Sequence, residues 1–155
     1  MKIMLLLVGD FSRHETAAMA ADYQNRIKRY LPIDIKTIKP EKVKSLSDAE
    51  ILKREGERIM DKLSQGDKII VMDKAGKMHS SKQVAAAFEK MALGGQRNLV
   101  FVIGGPLGLD EAVKQRADEM WSFSKMTFPH ELAAVMLLEQ LYRAQSIRRG
   151  EKYHK

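Results

Sequence analysis

The chain opens on a near-continuous apolar run, MKIMLLLV, closed by Gly9, which is the pattern of a buried strand over residues 1–8. Met19, Tyr23, Ile27 and Tyr30 then recur every three or four residues, so a helix is predicted over 15–30, ended by Pro32. Residues 33–38 read as a second strand and 40–46 as a basic, polar loop. Ser47 followed by Glu50 is a capping-box signature. It predicts a helix to about residue 63, with Ile51, Glu55, Ile59 and Leu63 along one face. Gly66-Asp67 turns the chain into a strand over 68–72, and DKAGKMHSS follows as a loop around Gly76. Ser80 or Ser81 can cap a helix to about residue 93, which Gly94-Gly95 stops. A fourth strand is predicted over 99–103, a short helix from Asp110, and a fifth strand over 121–126, where WSFSKM alternates large and small side chains. Pro129 suits the first turn of a last helix reaching about residue 146.

Strands alternating with helices predict an α/β protein with a mainly parallel sheet, formed as a single domain over residues 1–155. The most apolar strands, 69–72 and 99–103, are expected at the centre. Ligands of such sheets sit beyond the C-terminal ends of central strands, so the loops after Met72 and Ile103 form the leading site.

Composition narrows the chemistry. The chain contains no cysteine, which excludes disulfides, thiolate metal ligands and a cysteine nucleophile. No apolar run is long enough for a membrane span or signal peptide, so a cytoplasmic protein without membrane attachment is expected. The net charge of +7 suits an anionic partner such as nucleic acid, and equally serves solubility. From Arg143 to the end there are five Lys or Arg residues against one Glu, a basic tail that also carries Tyr153 and His154.

The stretch VFVIGGPLGLDEA places a glycine-rich turn after an apolar strand. It is neither G-x-G-x-x-G nor a Walker loop. Pro106 removes an N–H from where a phosphate cradle needs donors, and Asp110 and Glu111 put negative charge at the next helix start. A neutral or cationic ligand held by backbone edges fits better than a pyrophosphate; a plain tight turn is the other reading. Ser124 and Thr127, in SFSKMTFPH, are small hydroxyl residues that leave room for a ligand or a passing backbone.

At these residues the chain resembles one family closely. MKIMLLLVG, KREGERIM, MDKAGKMHSS, FVIGGPLGL, WSFSKMTFPH, LLEQLYRA and a final YHK stand in the order found in the RlmH family of SPOUT-class methyltransferases. SFSKMTFPH together with YHK is the specific part. The resemblance implies an α/β fold with a C-terminal trefoil knot and a homodimer. It also implies S-adenosylmethionine as methyl donor, no metal, and methylation at N3 of a pseudouridine in 23S rRNA of the large ribosomal subunit. It places the cofactor at Met72, Gly104, Gly105 and the run Phe123, Ser124, Lys125, Met126, Thr127 and Phe128. His130, Arg143, Tyr153 and His154 become catalytic candidates, and Arg148, Arg149 and Lys152 contacts for RNA phosphate.

Local readings stand beside these roles. His130 can be a plain helix start, Arg143 can pair with Glu139 one turn away, and the tail can fray. The very apolar last helix suits burial in both core and dimer interface. Two positions depart from the family pattern. Ala134 stands where an arginine is usual, one expected to contact RNA, and Leu107 where an acidic or polar residue is common. Rival functions are a ribosome-binding protein that kept the fold without turnover, and a dinucleotide-dependent α/β enzyme.

Overall fold

The structure is a computed structural model that describes residues 1–42 and 44–154, the last by its backbone only. Five parallel strands form one sheet in the order β2-β1-β4-β3-β5. These are β1 (Lys2–Val8), β2 (Ile33–Ile38), β3 (Asp67–Met78), β4 (Asn98–Ile103) and β5 (Glu119–Ser122). The helices are α1 (His14–Ile27), α2 (Asp48–Met60), α3 (Ser81–Leu93), α4 (Glu111–Arg116) and α5 (His130–Arg148), followed by a 3-10 turn, Lys152–His154.

The strand period of two sorts the core into two layers. Ile3, Leu5, Leu7, Ile70, Leu99, Phe101 and Ile103 face α1, α3 and α5. Leu6, Val8, Ile69, Val71, Val100 and Val102 face the other way, toward Ile59 of α2 and Val113 of α4. Strands buried on both faces read as unbroken apolar runs, which is why β1, β3 and β4 are legible from sequence. Ser47 accepts from the Glu50 amide and Ser80 from the Gln83 amide, each within a complete capping box.

The structure corrects two predicted elements. The loop expected around Gly76 is a continuation of β3: after a register shift between Met72 and Lys77, Lys77 and Met78 lie opposite Trp121 and Ser122. Gly76 makes this possible, since a Cβ there would stand 2.7 Å from the backbone carbons of Met120 and Trp121. The fifth strand begins earlier than expected and ends at Ser122 rather than Met126. Ser122 Oγ donates to the Ser124 carbonyl at 2.7 Å, and the Met126 amide donates to Ser124 Oγ at 3.0 Å. These local bonds satisfy the chain as a turn and remove it from the ladder.

Residues 123–129 then carry the chain from the sheet edge back across the strand ends to α5, whose His130 abuts Gly9 at the end of β1. β3 feeds α3 on one face of the sheet and β4 feeds α4 on the other. The two neighbouring loops diverge and leave a crevice between them.

Candidate active site

That crevice is a cleft of about 630 Å³, within the range of roughly 300–1,000 Å³ typical of small-ligand sites. Met72 and Asp73 enter it from β3, and Gly104 and Gly105 from the end of β4. The crossing segment supplies Phe123, Ser124, Met126, Thr127 and Phe128, and His130 comes from the first turn of α5. The rings of Phe123 and Phe128 meet edge-on, centroids 6.4 Å apart, and give the cleft an aromatic side. Lys125 lies beside this group but is exposed and does not line the cleft.

The glycine loop doubles back on itself. The Gly108 amide donates to the Gly105 carbonyl at 2.9 Å, and Gly108 holds a φ of +88°, a conformation that suits glycine. Gly104 is glycine for a different reason: a Cβ there would lie 2.3 Å from the Gly108 oxygen. The loop offers peptide edges rather than side chains. Asp110 caps α4 by accepting from the Ala112 amide at 2.9 Å, so that helix start is already served by a carboxylate.

Asp73 is the acidic group of the cleft. Burial pushes its pKa up, but the Ala75 amide at 2.9 Å and the Lys114 ammonium at 3.0 Å outweigh it and hold the carboxyl below its ordinary value.

His130 Nε2 lies 3.2 Å from the Asp10 carbonyl. A carbonyl only accepts, so Nε2 carries a hydrogen and donates, and Nδ1 is the ring nitrogen not engaged by this bond. The next residue, Glu131, fixes this corner. Arg13, the N-cap of α1, makes no side-chain cap of its own. Instead the buried Glu131 carboxylate accepts from the Ser12 amide at 2.9 Å, Ser12 Oγ at 2.5 Å, the Arg13 amide at 3.3 Å and Thr16 Oγ1. The hydroxyls of Ser12 and Thr16, aided by the two amides, outweigh burial and hold its pKa at about 2 against an ordinary 4.5. A lowered folded pKa stabilises the fold fully above the unfolded value and loses that contribution as pH falls through 4.5 toward 2. The fold is therefore expected to lose stability steeply across that window. Glu131→Gln should be less stable at pH 7 and flatter below pH 5, as thermal melts across pH will show. A wild-type curve no steeper than the variant's would refute the assignment. Nothing local in the sequence marks this role, because the partners lie more than a hundred residues away.

The other candidate side chains collect elsewhere. Arg143 Nε donates to Glu139 Oε1 at 2.9 Å, its guanidinium lies 4.9 Å from the Tyr153 ring centre, and Tyr153 hydroxyl donates to the same Glu139 oxygen at 3.2 Å. Burial, with Tyr23 and Glu139 adding to it, pushes the Tyr153 pKa up, so this hydroxyl stays protonated. Arg148 is held by Glu89 at 2.7 Å and Gln145 at 2.8 Å, and Arg149 lies over Tyr30. Lys152 is exposed. The side chain of His154 lies outside the described residues. His130 and Arg143 stand thirteen residues apart on α5, about 20 Å at a helical rise of 1.5 Å per residue. Within one chain, then, His130 joins the cleft and the Arg143–Tyr153 pair does not.

A second groove, of about 670 Å³, runs between α1, α3 and α5 and meets the cleft at Trp121, Ser122 and Phe123. Met19 and Leu132, 50% and 41% exposed, mark its apolar floor. His79 packs on Trp121 with centroids 4.6 Å apart; burial first, then the Lys77 charge, lowers its pKa and keeps it neutral. Sequence reasoning singled out neither this histidine nor the Asp73–Lys114 pair.

The expectation attached to Ala134 needs correction. Its side chain is completely buried in the core beneath α5. An arginine at this position of the present chain would bury a charge rather than present it to RNA. Leu107 sits exposed at the tip of the glycine loop, where a changed side chain leaves the peptide edges intact.

Comparison with known proteins agrees with this architecture. A family model described as "Predicted SPOUT methyltransferase" matches residues 1–154. The chain is 43% identical over 159 aligned residues to Ribosomal RNA large subunit methyltransferase H of Lactococcus lactis, covering 100% of both chains. It is 44% identical to the protein of that name from Syntrophotalea carbinolica, over 99% of both, and 43% identical to the Bacillus pumilus protein over 100% of both.

Proposed function

The chain belongs to the SPOUT methyltransferase family, and on that premise we propose that it methylates large-subunit ribosomal RNA, using S-adenosylmethionine, at N3 of a pseudouridine of 23S rRNA. The observation that carries the reading is a cleft built for a cationic nucleoside without phosphates. Its polar edges are the peptides of Gly104 and Gly105 and the hydroxyls of Ser124 and Thr127. Its walls are Met72, Phe123 and Phe128. Pro106 withholds an amide from the place where a phosphate cradle needs donors, and the one carboxylate of the described lining, Asp73, is paired with Lys114.

When bound, S-adenosylmethionine supplies a methyl group activated by its sulfonium charge, a reaction that requires no metal. The chain supplies position and proton handling. The glycine loop and the Phe123–Phe128 edge would hold the donor. His130, its Nε2 hydrogen directed to Asp10, offers Nδ1 to receive the proton that N3 must lose. Arg143 is a fixed cation for negative charge developing on the base carbonyls, and Tyr153 a ring for the extruded base. Arg148, Arg149 and Lys152 would meet phosphates, and His154 is a second candidate base.

The separation of His130 from Arg143 supports a homodimer in which one subunit's tail serves the other's cleft. The exposed Met19 and Leu132 on the α1–α5 groove suit such an interface. The return of residues 123–129 across the glycine loop suits the family's trefoil knot. Among the described residues no helix is long and apolar enough to cross a membrane, and a ribosomal substrate places the work in the cytoplasm.

The test combines purified protein, methyl-labelled donor and ribosomes, followed by nucleoside mass spectrometry. Methyl label on N3 of a pseudouridine, with calorimetric binding of S-adenosylmethionine and none of NAD, is the expected result. Ribosome binding without methyl incorporation from free rRNA, isolated subunits or whole ribosomes would instead support an RNA-binding protein that lost turnover.

A further inference from the structure

We propose that the substrate RNA's phosphate backbone is received by a cationic rim at the mouth of the cofactor cleft, formed by Lys74, Lys77 and Lys125; this rests on the ribosomal RNA reading above.

The three residues lie on neighbouring strands of chain. Lys74 and Lys77 belong to the part of β3 that continues beyond the core, with Lys77 opposite Trp121 in the ladder. Lys125 follows β5 in the turn that the Ser124 bonds define. Ser122 Oγ ties the two backbones together, 2.7 Å from the Ser124 carbonyl and 3.4 Å from that of Lys74. The rim is thus held by a sheet ladder and side-chain bonds rather than by a loose loop.

All three ammonium groups are on exposed residues, and among the described residues none has a carboxylate within ion-pair distance. The acids nearby are engaged: Asp73 with Lys114, and Glu119 with Lys68 and the Trp121 indole N–H. The tail differs, since Arg148 is already bonded to Glu89 and Gln145. Desolvating a carboxylate partner would cost binding at the tail, and no such partner opposes a phosphate at the rim.

Apolar surface is interleaved with this charge. Met78 and Met126 are 56% and 69% exposed on the same two segments. An exposed thioether offers an adaptable apolar surface to an unstacked base while the neighbouring cation meets its phosphate. A single-stranded segment laid along the rim would bring its next nucleotide to the cleft that Lys74 itself lines.

The test compares Lys74→Ala/Lys77→Ala/Lys125→Ala with a charge-matched control, Lys62→Ala/Lys90→Ala/Arg97→Ala. The control residues are exposed at the opposite, N-terminal edge of the sheet and make no ion pair among the described residues. Ribosome binding is measured against salt, with methyl transfer and donor calorimetry alongside. The rim variant should raise the ribosome KM by at least about tenfold at moderate salt. It should also lower the slope of log K against log salt by about 2–3, close to one per lost phosphate contact. In Lys77→Ala/Lys125→Ala, which leaves the cleft-lining Lys74 in place, donor affinity should stay within twofold, and the control should match wild type. A rim variant with wild-type KM and slope overturns the proposal, as does a control that loses as much. Wild-type protein that binds ribosomes but transfers no methyl removes the proposed reaction, and the salt slopes still decide the rim.

Discussion

Gly104→Ala is expected to abolish donor binding and to destabilise the fold by about 1–3 kcal/mol or more. Its added Cβ would stand 2.3 Å from the Gly108 oxygen, 2.6 Å from the Gly108 carbonyl carbon and 3.0 Å from Leu109 Cγ. The first two are backbone, so no rotamer change relieves the contact. The loop must open, and the peptide edges that line the cleft move with it. Gly66→Ala is the matched control, because its Cβ would meet nothing within 4 Å. That change should be neutral or slightly stabilising. Denaturant melts and calorimetry with S-adenosylmethionine check both variants. Donor affinity within twofold of wild type in Gly104→Ala would show that the cleft does not depend on this loop.

Arg143→Ala should reduce methyl transfer by at least about 10²-fold, the loss typical of removing one fixed donor to developing negative charge. Donor affinity should be unchanged. If the Arg143–Glu139 pair were only a surface ion pair along one helix turn, its removal would cost about 0.3–0.5 kcal/mol and leave turnover intact. The predicted signature is therefore a large activity loss beside a small shift in melting. Arg143→Lys should not rescue, because a lysine cannot keep both the guanidinium contact with Glu139 and the face laid against Tyr153. Mixing inactive Arg143→Ala and His130→Ala proteins reports on subunit sharing. If one subunit's tail serves the other's cleft as proposed, every mixed dimer holds one intact pair, and activity should recover after subunit exchange. Equal turnover in Arg143→Ala and wild type would remove the tail from the mechanism.

The legibility of this chain follows the range of the forces involved. Strands β1, β3 and β4 are buried on both faces, so their apolar runs announce them. The capping boxes at Ser47 and Ser80 are local, three residues wide, and fell where expected. The extent of β5 is not legible in the sequence because Ser122, Ser124 and Met126 have two ways to satisfy their polar groups. The turn prevails only once Gly76 lets β3 continue alongside. Ala134 is illegible for a related reason: residues 132–138 of α5 are all apolar, and such a run does not reveal which positions face the sheet.

The sequence alone determined the alternation of strands and helices, the glycine-rich turn after the fourth strand, and through SFSKMTFPH the family. Each is written in neighbouring residues, where backbone preference and local hydrogen bonding act within one or two turns. Only the tertiary structure decided that Glu131 caps a helix across the molecule, that His130 donates to Asp10, and that the basic tail stands about 20 Å of helix away from the cleft. Those outcomes depend on which distant surfaces are brought together to exclude water, and packing of that kind leaves no periodic trace along the chain.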